Sequence, residues 1–221
     1  MRFVSVLGDS ISTYAGFNPA GYSVFYDEYT AKVNNMSSVY DTWWAKVNQF
    51  LHAYLCVNNS YSGSRVSGNG FPSASCEQRL SLLHTDGYLP ELILIYMGFN
   101  DFGSGTEITN SRADGSSFFD SYYKMLKTIR KNYPTSRIFC GTLMEGSVKG
   151  KPDWVFPHKW AGTSIYEYNA AIKIAAELAE ADLADLAASD MRYETLDGTH
   201  PTKAGHDTIA QAWISCLKEV L

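Results

Sequence analysis

A serine stands where the first apolar segment of the chain ends. Residues 2–7 have the pattern of a short strand, and Gly8, Asp9 and Ser10 follow directly. A hydroxyl at the carboxyl end of the first strand of an α/β sheet lies where such folds place ligands, and the backbone amides after it can donate to a developing oxyanion. Ser10 is therefore a candidate nucleophile. The alternative is that Asp9 or Ser10 only caps the next turn.

An aspartate and a histidine lie three positions apart near the other end of the sequence. Across a tight turn, Asp197 can bring its carboxylate to Nδ1 of His200, which fixes the tautomer and leaves Nε2 free to take a proton from a serine. Pro201 favours the start of a helix directly after His200. The pair fits a general base with its orienting acid, and the alternative is an ordinary capped helix start.

Two further apolar segments end in polar residues accompanied by glycine. Gly63 follows the second predicted strand, and Asn100 follows the third. A glycine N–H can approach a substrate closely because no Cβ stands in the way, and an asparagine side chain can donate a second hydrogen bond to the same oxygen. Gly63 and Asn100 are thus candidate oxyanion donors, although both residue types are also common in turns.

Five strand-like segments that alternate with helix-like segments must position these residues, and this alternation predicts a parallel sheet covered on both faces. The predicted strands are residues 2–7, 54–57, 92–97, 137–141 and 183–186. The predicted helices, with apolar residues three and four positions apart, are residues 43–52, 76–83, 118–132, 164–180 and 202–220. Four intervals are too long for plain connectors and are expected to carry function: residues 12–38, 64–75, 102–117 and 145–163.

Aromatic residues are concentrated in the first and the last of these intervals. Trp154 and Trp160, in the last interval, are candidate walls of a site for a sugar or an acyl group, and the alternative is that the loop packs on itself. Arg65 follows the second predicted strand and could bind a carboxylate or a sugar hydroxyl of the substrate. The preferred interpretation of Arg65 is an ion pair with Asp9 or Asp101.

Length, composition and charge limit the classes of protein that need to be considered. The chain has 221 residues, of which 45% are apolar, and this suffices for one well-packed domain over residues 1–221. A formal net charge of -5 without a run of Lys or Arg argues against nucleic acid or an anionic membrane as a partner. No segment resembles a secretory signal or reaches the roughly 18 apolar residues of a membrane span. We expect a soluble, cytoplasmic protein with a small-molecule ligand; the oligomeric state is left open.

Four blocks of the chain resemble, in order, the motif blocks of the SGNH, or GDSL-type, hydrolases. The blocks are Gly8-Asp9-Ser10-Ile11, Gly63 after a serine-rich turn, Gly98-Phe99-Asn100-Asp101, and Asp197-Gly198-Thr199-His200-Pro201. Together they extend over most of the chain, from residue 8 to residue 201. Ile11 stands where the name-giving pattern has leucine, which is a conservative change.

The resemblance implies a three-layer α/β/α fold of the flavodoxin-like SGNH type, with a five-stranded parallel sheet. It implies that Ser10 is the nucleophile, that His200 is the base and that Asp197 is its partner. It also implies that the oxyanion donors are the N–H groups of Ser10 and Gly63 and the side chain of Asn100. Members of the family are mostly esterases, lipases, thioesterases and carbohydrate acetylesterases, and they need no metal or other cofactor.

These observations predict a serine esterase that acts through an acyl-enzyme intermediate. Short-chain esters, such as acetylated carbohydrates, are the preferred substrates. One alternative is a lysophospholipase or a thioesterase that acts on longer acyl chains. The alternative outside enzymes is a catalytically silent sugar-binding module. No metal site is predicted, because the chain lacks clustered Cys and His residues at ligand spacing.

Overall fold

A five-stranded parallel sheet forms the centre of the protein. The computed structural model describes residues 2–109 and 114–220. Its strands are β1 (Arg2–Gly8), β2 (Ala53–Ser60), β3 (Leu92–Tyr96), β4 (Arg137–Gly141), β5 (Gly146–Val148), β6 (Lys159–Trp160), β7 (Thr163–Ser164), β8 (Asp182–Ala184) and β9 (Tyr193–Thr195). The central sheet has the order β2-β1-β3-β4-β8, and every neighbouring pair is parallel. Strand β3 is buried along its whole length, as expected for a strand covered on both faces.

Helices cover both faces of this sheet, and the predicted fold class is confirmed. The helices are α1 (Glu28–Val33), α2 (Trp43–Phe50), α3 (Glu77–Leu80), α4 (Phe99–Ser104), α5 (Phe118–Asn132), α6 (Ile165–Leu178) and α7 (Lys203–Lys218). Helix α2 packs against α7, and α5 packs against α6. Trp43 and Trp213 stack between α2 and α7, with ring centroids 5.3 Å apart. In the part of the chain that the structure describes, no helix is long and apolar enough to cross a membrane.

The side chains that begin the helices agree with the expected capping chemistry. Thr42 caps α2 by accepting a hydrogen bond from Ala45 N–H, and Thr202 caps α7 by accepting one from Gly205 N–H. Ser164 caps α6 within a reciprocal capping box. These caps satisfy backbone donors that a helix start leaves unpaired, and they set the points at which α2, α6 and α7 begin.

Several predicted boundaries were wrong, and tertiary contacts explain the largest error. The helix predicted for residues 76–83 is only the short α3. The amide of Asn59 accounts for its early end, because it donates to the carbonyl oxygens of Arg79 and Leu82 at 3.1 and 3.0 Å. The N–H of Leu83 donates to the hydroxyl of Tyr133 at 2.9 Å. Side chains from other elements therefore replace the hydrogen bonds with which the helix would have continued.

Other elements were not predicted at all. The predicted loop regions contain α1 and the second half of α4. Residues 110–113 of the predicted loop 102–117 lie outside the described residues. The strands β5 and β9 pair in parallel and form a separate two-stranded sheet. Each is only three residues long, so the alternation of apolar residues gave no signal for it. Their pairing holds the segment that leads to Asp197.

The register of the sheet brings three strand ends to one level. Gly8 at the end of β1 is aligned with Ser60 at the end of β2 and with Tyr96 at the end of β3. The chain segments after these strands therefore leave the same edge of the sheet side by side. This edge carries Ser10 and Asn100, which are far apart in the sequence.

Candidate active site

Ser10 begins a short 3-10 turn where β1 ends, and its position is tightly determined. The carboxylate of Asp9 accepts a hydrogen bond of 3.0 Å from Ile11 N–H and caps the turn. A Cβ at Gly8 would lie 2.5 Å from the Cβ of Ser12, so only glycine fits at this point of close approach. The turn therefore presents the hydroxyl of Ser10 at the carboxyl edge of the sheet, with a residue exposure of only 5%.

Asp197 organises the turn that carries His200. One oxygen of its carboxylate accepts hydrogen bonds from the N–H groups of Thr199 and His200, at 2.9 and 2.8 Å. The N–H of Gly198 donates to the hydroxyl of Thr195, at the end of β9, at 2.8 Å. The turn is thus fixed both within itself and to a strand. The second carboxylate oxygen of Asp197 remains available to the imidazole of His200.

The structure brings Ser10, His200 and Asp197 together across 190 positions of sequence. Nε2 of His200 lies 3.0 Å from Oγ of Ser10, and Nδ1 lies 2.7 Å from Oδ2 of Asp197. Partial burial disfavours the ionised form of Asp197, but the hydrogen bonds from the side chain and backbone of His200 outweigh it and lower the pKa of this carboxyl to about 2. A carboxylate that stays ionised at neutral pH therefore faces the imidazole.

Gly63 and Asn100 lie in neighbouring segments beside the Ser10 turn. The side-chain amide of Asn100, on α4, donates to the carbonyl oxygen of Ser64 at 3.0 Å and approaches Oδ2 of Asp9 at 3.3 Å. Gly63 adopts a positive φ of 79°, which favours glycine. Within residues 2–109 and 114–220, its N–H donates no hydrogen bond. Asn100 thus connects the segment of Gly63 to the turn of Ser10.

Asp9 is a completely buried carboxyl beneath the site. Burial raises its pKa to about 6, although the hydrogen bond from Ile11 and the nearby His200 and Arg79 act in the opposite direction. Its oxygens face Ile11 N–H and the amide of Asn100. We find Asp9 in the framework of the site, with no direct contact to the imidazole.

Arg65 does not form the predicted ion pair. Among the described residues, neither Asp9 nor Asp101 has an Arg65 nitrogen within 4.0 Å, and the side chain of Arg65 is exposed. The backbone N–H groups of Val66 and Ser67 occupy the carboxylate of Asp101 instead, at 2.7 and 3.1 Å. The buried carboxylate is already satisfied by these donors and holds the loop in place. Burial raises the pKa of Asp101, and the positive charge of the exposed Arg65 acts in the opposite direction without an ion-pair contact.

The buried cation of this region is Arg79, which sequence reasoning missed. Its guanidinium is 0% exposed and donates to the carbonyl oxygens of Gly8, Asn59 and Pro72 at 3.0, 2.6 and 2.8 Å. It also donates to the hydroxyl of Ser64 at 2.9 Å and to the side-chain oxygen of Asn59 at 3.0 Å. Arg79 therefore ties the ends of β1 and β2 to the Gly63 segment. In the sequence, a single arginine in a helix-like segment indicates an exposed face, so no pattern could have revealed it.

An aromatic cavity of about 130 Å³ adjoins the Asp197 turn. Its lining is mainly apolar, and it includes both tryptophans that the sequence singled out: Phe99, Phe102, Gly103, Trp154, Phe156, Pro157, Trp160, Asp197, Gly198 and Thr199. Trp154 packs over Gly198, whereas Trp160 is 51% exposed at the rim. The alternative of loop self-packing also applies in part, because Phe156 contacts both Phe102 and Trp154.

The arrangement has the geometry required for proton transfer from a hydroxyl. A serine that is hydrogen-bonded to an imidazole, itself hydrogen-bonded to an ionised carboxylate, can lose its proton as it attacks a carbonyl carbon. In the described part of the chain, no three His, Cys, Asp or Glu side chains are grouped so that they could hold a metal ion.

Comparison with known families places most of the chain in one group. The sequence model described as GDSL-like Lipase/Acylhydrolase matches residues 2–149. The matched region includes Ser10, Gly63 and Asn100 and ends before Asp197. Among curated proteins, a multidomain esterase of Ruminococcus flavefaciens is 23% identical over 228 residues, which cover 99% of this chain and 24% of that protein. The chain thus spans about a quarter of the length of that relative.

Solved structures share the fold over the whole chain. A protein of Bacteroides uniformis assigned as a GDSL-like lipase is 25% identical, with a TM-score of 0.76 and coverage of 100% of this chain and 97% of that one. A similar protein of Bacteroides ovatus has a TM-score of 0.78 at 21% identity, with coverage of 100% and 99%. An active-site mutant of a family two carbohydrate esterase from Clostridium thermocellum has a TM-score of 0.60 at 18% identity, with coverage of 99% of this chain and 64% of that one.

Proposed function

We propose that this chain, which belongs to the GDSL-like lipase/acylhydrolase family, is a serine esterase that hydrolyses short-chain carboxylic esters through an acyl-enzyme intermediate. The observation that carries the proposal is the chain of contacts from Ser10 through His200 to Asp197, at 3.0 and 2.7 Å. Family membership alone indicates an esterase or lipase. The contacts support the proposed roles of Ser10 as nucleophile, His200 as base and Asp197 as its partner.

The first half of the proposed reaction transfers the acyl group to the enzyme. Oγ of Ser10 forms a bond to the carbonyl carbon while Nε2 of His200 takes its proton. Asp197 stays ionised and stabilises the imidazolium. The tetrahedral intermediate then collapses, the bond to the alcohol oxygen breaks, and His200 returns the proton to the leaving alcohol.

The second half of the reaction releases the acid. His200 takes a proton from water as the water oxygen attacks the acyl carbon, and the proton then returns to Oγ of Ser10 as the ester bond to the enzyme breaks. The N–H groups of Ser10 and Gly63, together with the amide of Asn100, are the proposed donors to the oxyanion in both halves. In the structure this amide donates to Ser64 at 3.0 Å and to Asp9 at 3.3 Å. Because an amide has two protons, donation to the oxyanion replaces the longer bond, the one to Asp9.

An acetyl ester of a carbohydrate is the proposed substrate class. The aromatic cavity beside the Asp197 turn is small, about 130 Å³, and its exposed Trp160 offers a flat face to a sugar ring. The names of two relatives, a multidomain esterase and a carbohydrate esterase, agree with this class. Arg65, exposed near Gly63, is a proposed contact for a sugar hydroxyl.

Replacement of Ser10→Ala tests the mechanism. With p-nitrophenyl acetate as substrate, we expect kcat to fall by at least about 10³-fold, because the nucleophile is lost while binding contacts remain. Thermal unfolding should occur near the wild-type temperature. Ser81→Ala serves as the matched control and should keep wild-type activity, because Ser81 is an exposed serine directly after α3. Retention of kcat in the Ser10 variant would refute the nucleophile assignment.

The substrate class is tested by acyl length and by Trp160→Ala. We expect p-nitrophenyl acetate to be hydrolysed faster than the octanoate, since the cavity is small.

For an acetylated oligosaccharide, the KM of the Trp160→Ala variant should be about tenfold higher than that of the wild type, which corresponds to about 1.4 kcal/mol. Its kcat for p-nitrophenyl acetate should be unchanged. Val155→Ala, an exposed residue of the same loop, is the control. Faster octanoate turnover would favour a lysophospholipase or thioesterase. Sugar binding without any hydrolysis would indicate a silent binding module.

A further inference from the structure

Two neighbouring aromatic residues of the long loop after β1 contact the segment that carries His200. The ring of Phe25 is stacked on the imidazole of His200, with centroids 3.5 Å apart and an angle of 8° between the planes. The hydroxyl of the buried Tyr26 donates a hydrogen bond of 2.7 Å to the carbonyl oxygen of Pro201. One contact therefore holds the imidazole ring, and the other holds the backbone directly after it.

The same segment is attached to the turn of Ser10. The N–H of Phe25 donates to the hydroxyl of Thr13 at 2.9 Å, and this hydroxyl donates to the carbonyl oxygen of Ser10 at 2.9 Å. The carbonyl oxygen of Tyr26 accepts a hydrogen bond from Ala15 N–H at 3.0 Å. Residues 25–26 thus connect the turn of Ser10 to the segment of His200. These contacts do not involve the hydrogen bond between His200 and Ser10.

The geometry of the stack has an electrostatic consequence. Two neutral aromatic rings disfavour a face-to-face arrangement with little offset, because their negative faces repel each other. A cation over the face of phenylalanine is attracted to the same negative charge. The stack of Phe25 on His200 is therefore more favourable when the imidazole carries a proton. The imidazole gains that proton when Ser10 attacks.

We propose that Phe25 is a positioning residue that stabilises the protonated form of His200 during catalysis, and that Tyr26 fixes the backbone from which the imidazole projects. This inference rests on the proposed function, since it assumes that His200 is the base. An interaction that strengthens as the transition state forms raises kcat and leaves KM unchanged. The other charged groups around the imidazole are the carboxylates of Asp197 and Asp9. Neither is altered in the variants of Phe25 and Tyr26.

Phe25→Leu tests the proposal, because leucine keeps apolar bulk and removes the aromatic face. With p-nitrophenyl acetate we expect kcat to fall about fivefold to tenfold, within the range of cation–π contacts, and KM to stay unchanged. Phe25→Tyr and Phe25→Trp should restore kcat, because they restore the ring. Phe17→Leu is the matched control: it lies on the same loop and contacts Tyr14 and Trp44.

Two further readouts separate this role from a purely structural one. The acidic limb of kcat/KM against pH should move to lower pH in Phe25→Leu, because the protonated imidazole has lost a stabilising contact. In NMR spectra, the ring protons of His200 should lose the upfield shift that a stacked ring produces. If kcat falls but the pH limb stays in place and aromatic variants do not restore activity, the contact is only packing and the proposal is wrong.

Tyr26→Phe removes one hydroxyl and keeps the ring. We expect a smaller fall in kcat, about threefold, the size of one neutral hydrogen bond, with the pH limb unchanged. Wild-type kcat in this variant would exclude a role for the hydrogen bond to Pro201.

The failure of this inference can be distinguished from failure of the proposed function. If Ser10→Ala retains activity, the esterase mechanism itself is wrong. If Ser10→Ala is inactive while Phe25→Leu has the kcat and pH limb of the wild type, only the role of Phe25 is refuted. The NMR shift of the His200 ring reports the stack in either case, because it does not depend on turnover.

Discussion

The two halves of the site are held in different ways. The half with Ser10, the proposed nucleophile, is called the nucleophile half, and it is buried. Ser10 is 5% exposed, and Asp9 and Arg79 beneath it are 0% exposed. The half with His200 and Asp197, the proposed base and its partner, is called the base half. It is more open to solvent, with side-chain exposures of 20% for His200 and 51% for Asp197. Hydrogen bonds from a buried cation connect the first half to two strand ends, whereas a local turn and a stacked ring hold the second.

This difference separates catalysis from stability. Buried polar groups that lose a partner cost much more free energy than exposed ones. Changes to the buried groups beneath Ser10 should therefore weaken the fold, whereas changes in the base half should reduce turnover in a protein that remains folded. Three substitutions test this contrast.

Asp197→Asn should have the largest effect and should act on catalysis alone. The amide keeps an acceptor for the N–H groups of Thr199 and His200 but removes the negative charge beside Nδ1. We expect kcat for p-nitrophenyl acetate to fall by about 10³- to 10⁴-fold, as when a triad carboxylate loses its charge. The free energy of unfolding, measured with urea, should change by less than about 1 kcal/mol because the side chain is half exposed.

Asp153→Asn, an exposed aspartate in the loop that carries Trp154, is the control for this substitution. Its kcat should equal that of the wild type. A fall of less than about tenfold in Asp197→Asn would contradict the role of the carboxylate. A large loss of stability would instead contradict the contrast between the two halves.

Arg79→Met should have the next largest effect and should act on stability. Methionine keeps the length of the side chain but leaves the buried carbonyl oxygens of Gly8, Asn59 and Pro72 without their donor. We expect the free energy of unfolding to fall by about 3 to 5 kcal/mol. In thermal unfolding, this corresponds to a decrease in Tm of roughly 6 to 20 °C.

Arg65→Met provides the matched control, since Arg65 is an exposed arginine of the same region and makes no ion pair within the described chain. Its unfolding free energy should change by less than about 0.5 kcal/mol. Equal stabilities of the two variants would show that the buried hydrogen bonds of Arg79 contribute nothing to the difference between the halves.

A smaller effect, which depends on pH, is expected from the buried groups beneath each half. His206, on α7 under the base half, is fully buried, and burial lowers its pKa to about 3. The unfolded chain protonates this histidine below about pH 6.5, but the folded protein does not. His206 therefore contributes stability that is complete above pH 6.5 and is lost as the pH falls toward 3.

Asp9, under the nucleophile half, changes the stability with pH in the opposite direction. Its pKa is raised to about 6 by burial, so the folded protein takes up a proton at a higher pH than the unfolded chain. The destabilisation it causes is complete above pH 6 and disappears as the pH falls toward 3.8. Between about pH 4 and 6 the two groups therefore oppose each other.

His206→Asn should isolate the contribution of His206, because Asp9 is the same in the variant and the wild type. Asparagine can still accept the hydrogen bond that Nδ1 receives from Trp43 N–H. We expect the stability of the variant relative to the wild type to rise as the pH falls from 6.5 to 4, by up to about 1.4 kcal/mol per pH unit. Urea unfolding at several pH values measures this difference. A difference that does not vary with pH would show that His206 titrates normally in the folded protein.

Several features could be predicted from the sequence because they depend on local patterns. Apolar runs ending in glycine and polar residues indicated β1, β2 and β3, and helix periodicity indicated α5 with the boundaries that the structure has. Spacing of three positions was enough to suggest that Asp197 reaches His200, because a tight turn leaves few alternatives. The order of four motif blocks indicated the family, and the family match confirms it.

Other features could not be predicted, because they depend on groups distant in the sequence. Helix α3 ends early because Asn59 and Tyr133 take its hydrogen bonds. Arg65 looked like the cation that pairs with a buried carboxylate, yet Arg79 is the one inside the protein. Which arginine is buried depends on which one meets carbonyl oxygens from several strand ends, and no local pattern encodes that.

The sequence by itself thus determined the chemistry available at each strand end: a hydroxyl at Ser10, donors at Gly63 and Asn100, and an imidazole with its carboxylate at His200. The tertiary structure alone decided how these groups are supported. It buried Arg79 beneath Ser10 and placed Phe25 on the ring of His200. The physical reason is that a residue's type is a local property. Its burial and its hydrogen-bond partners are set only when the chain folds and distant segments meet.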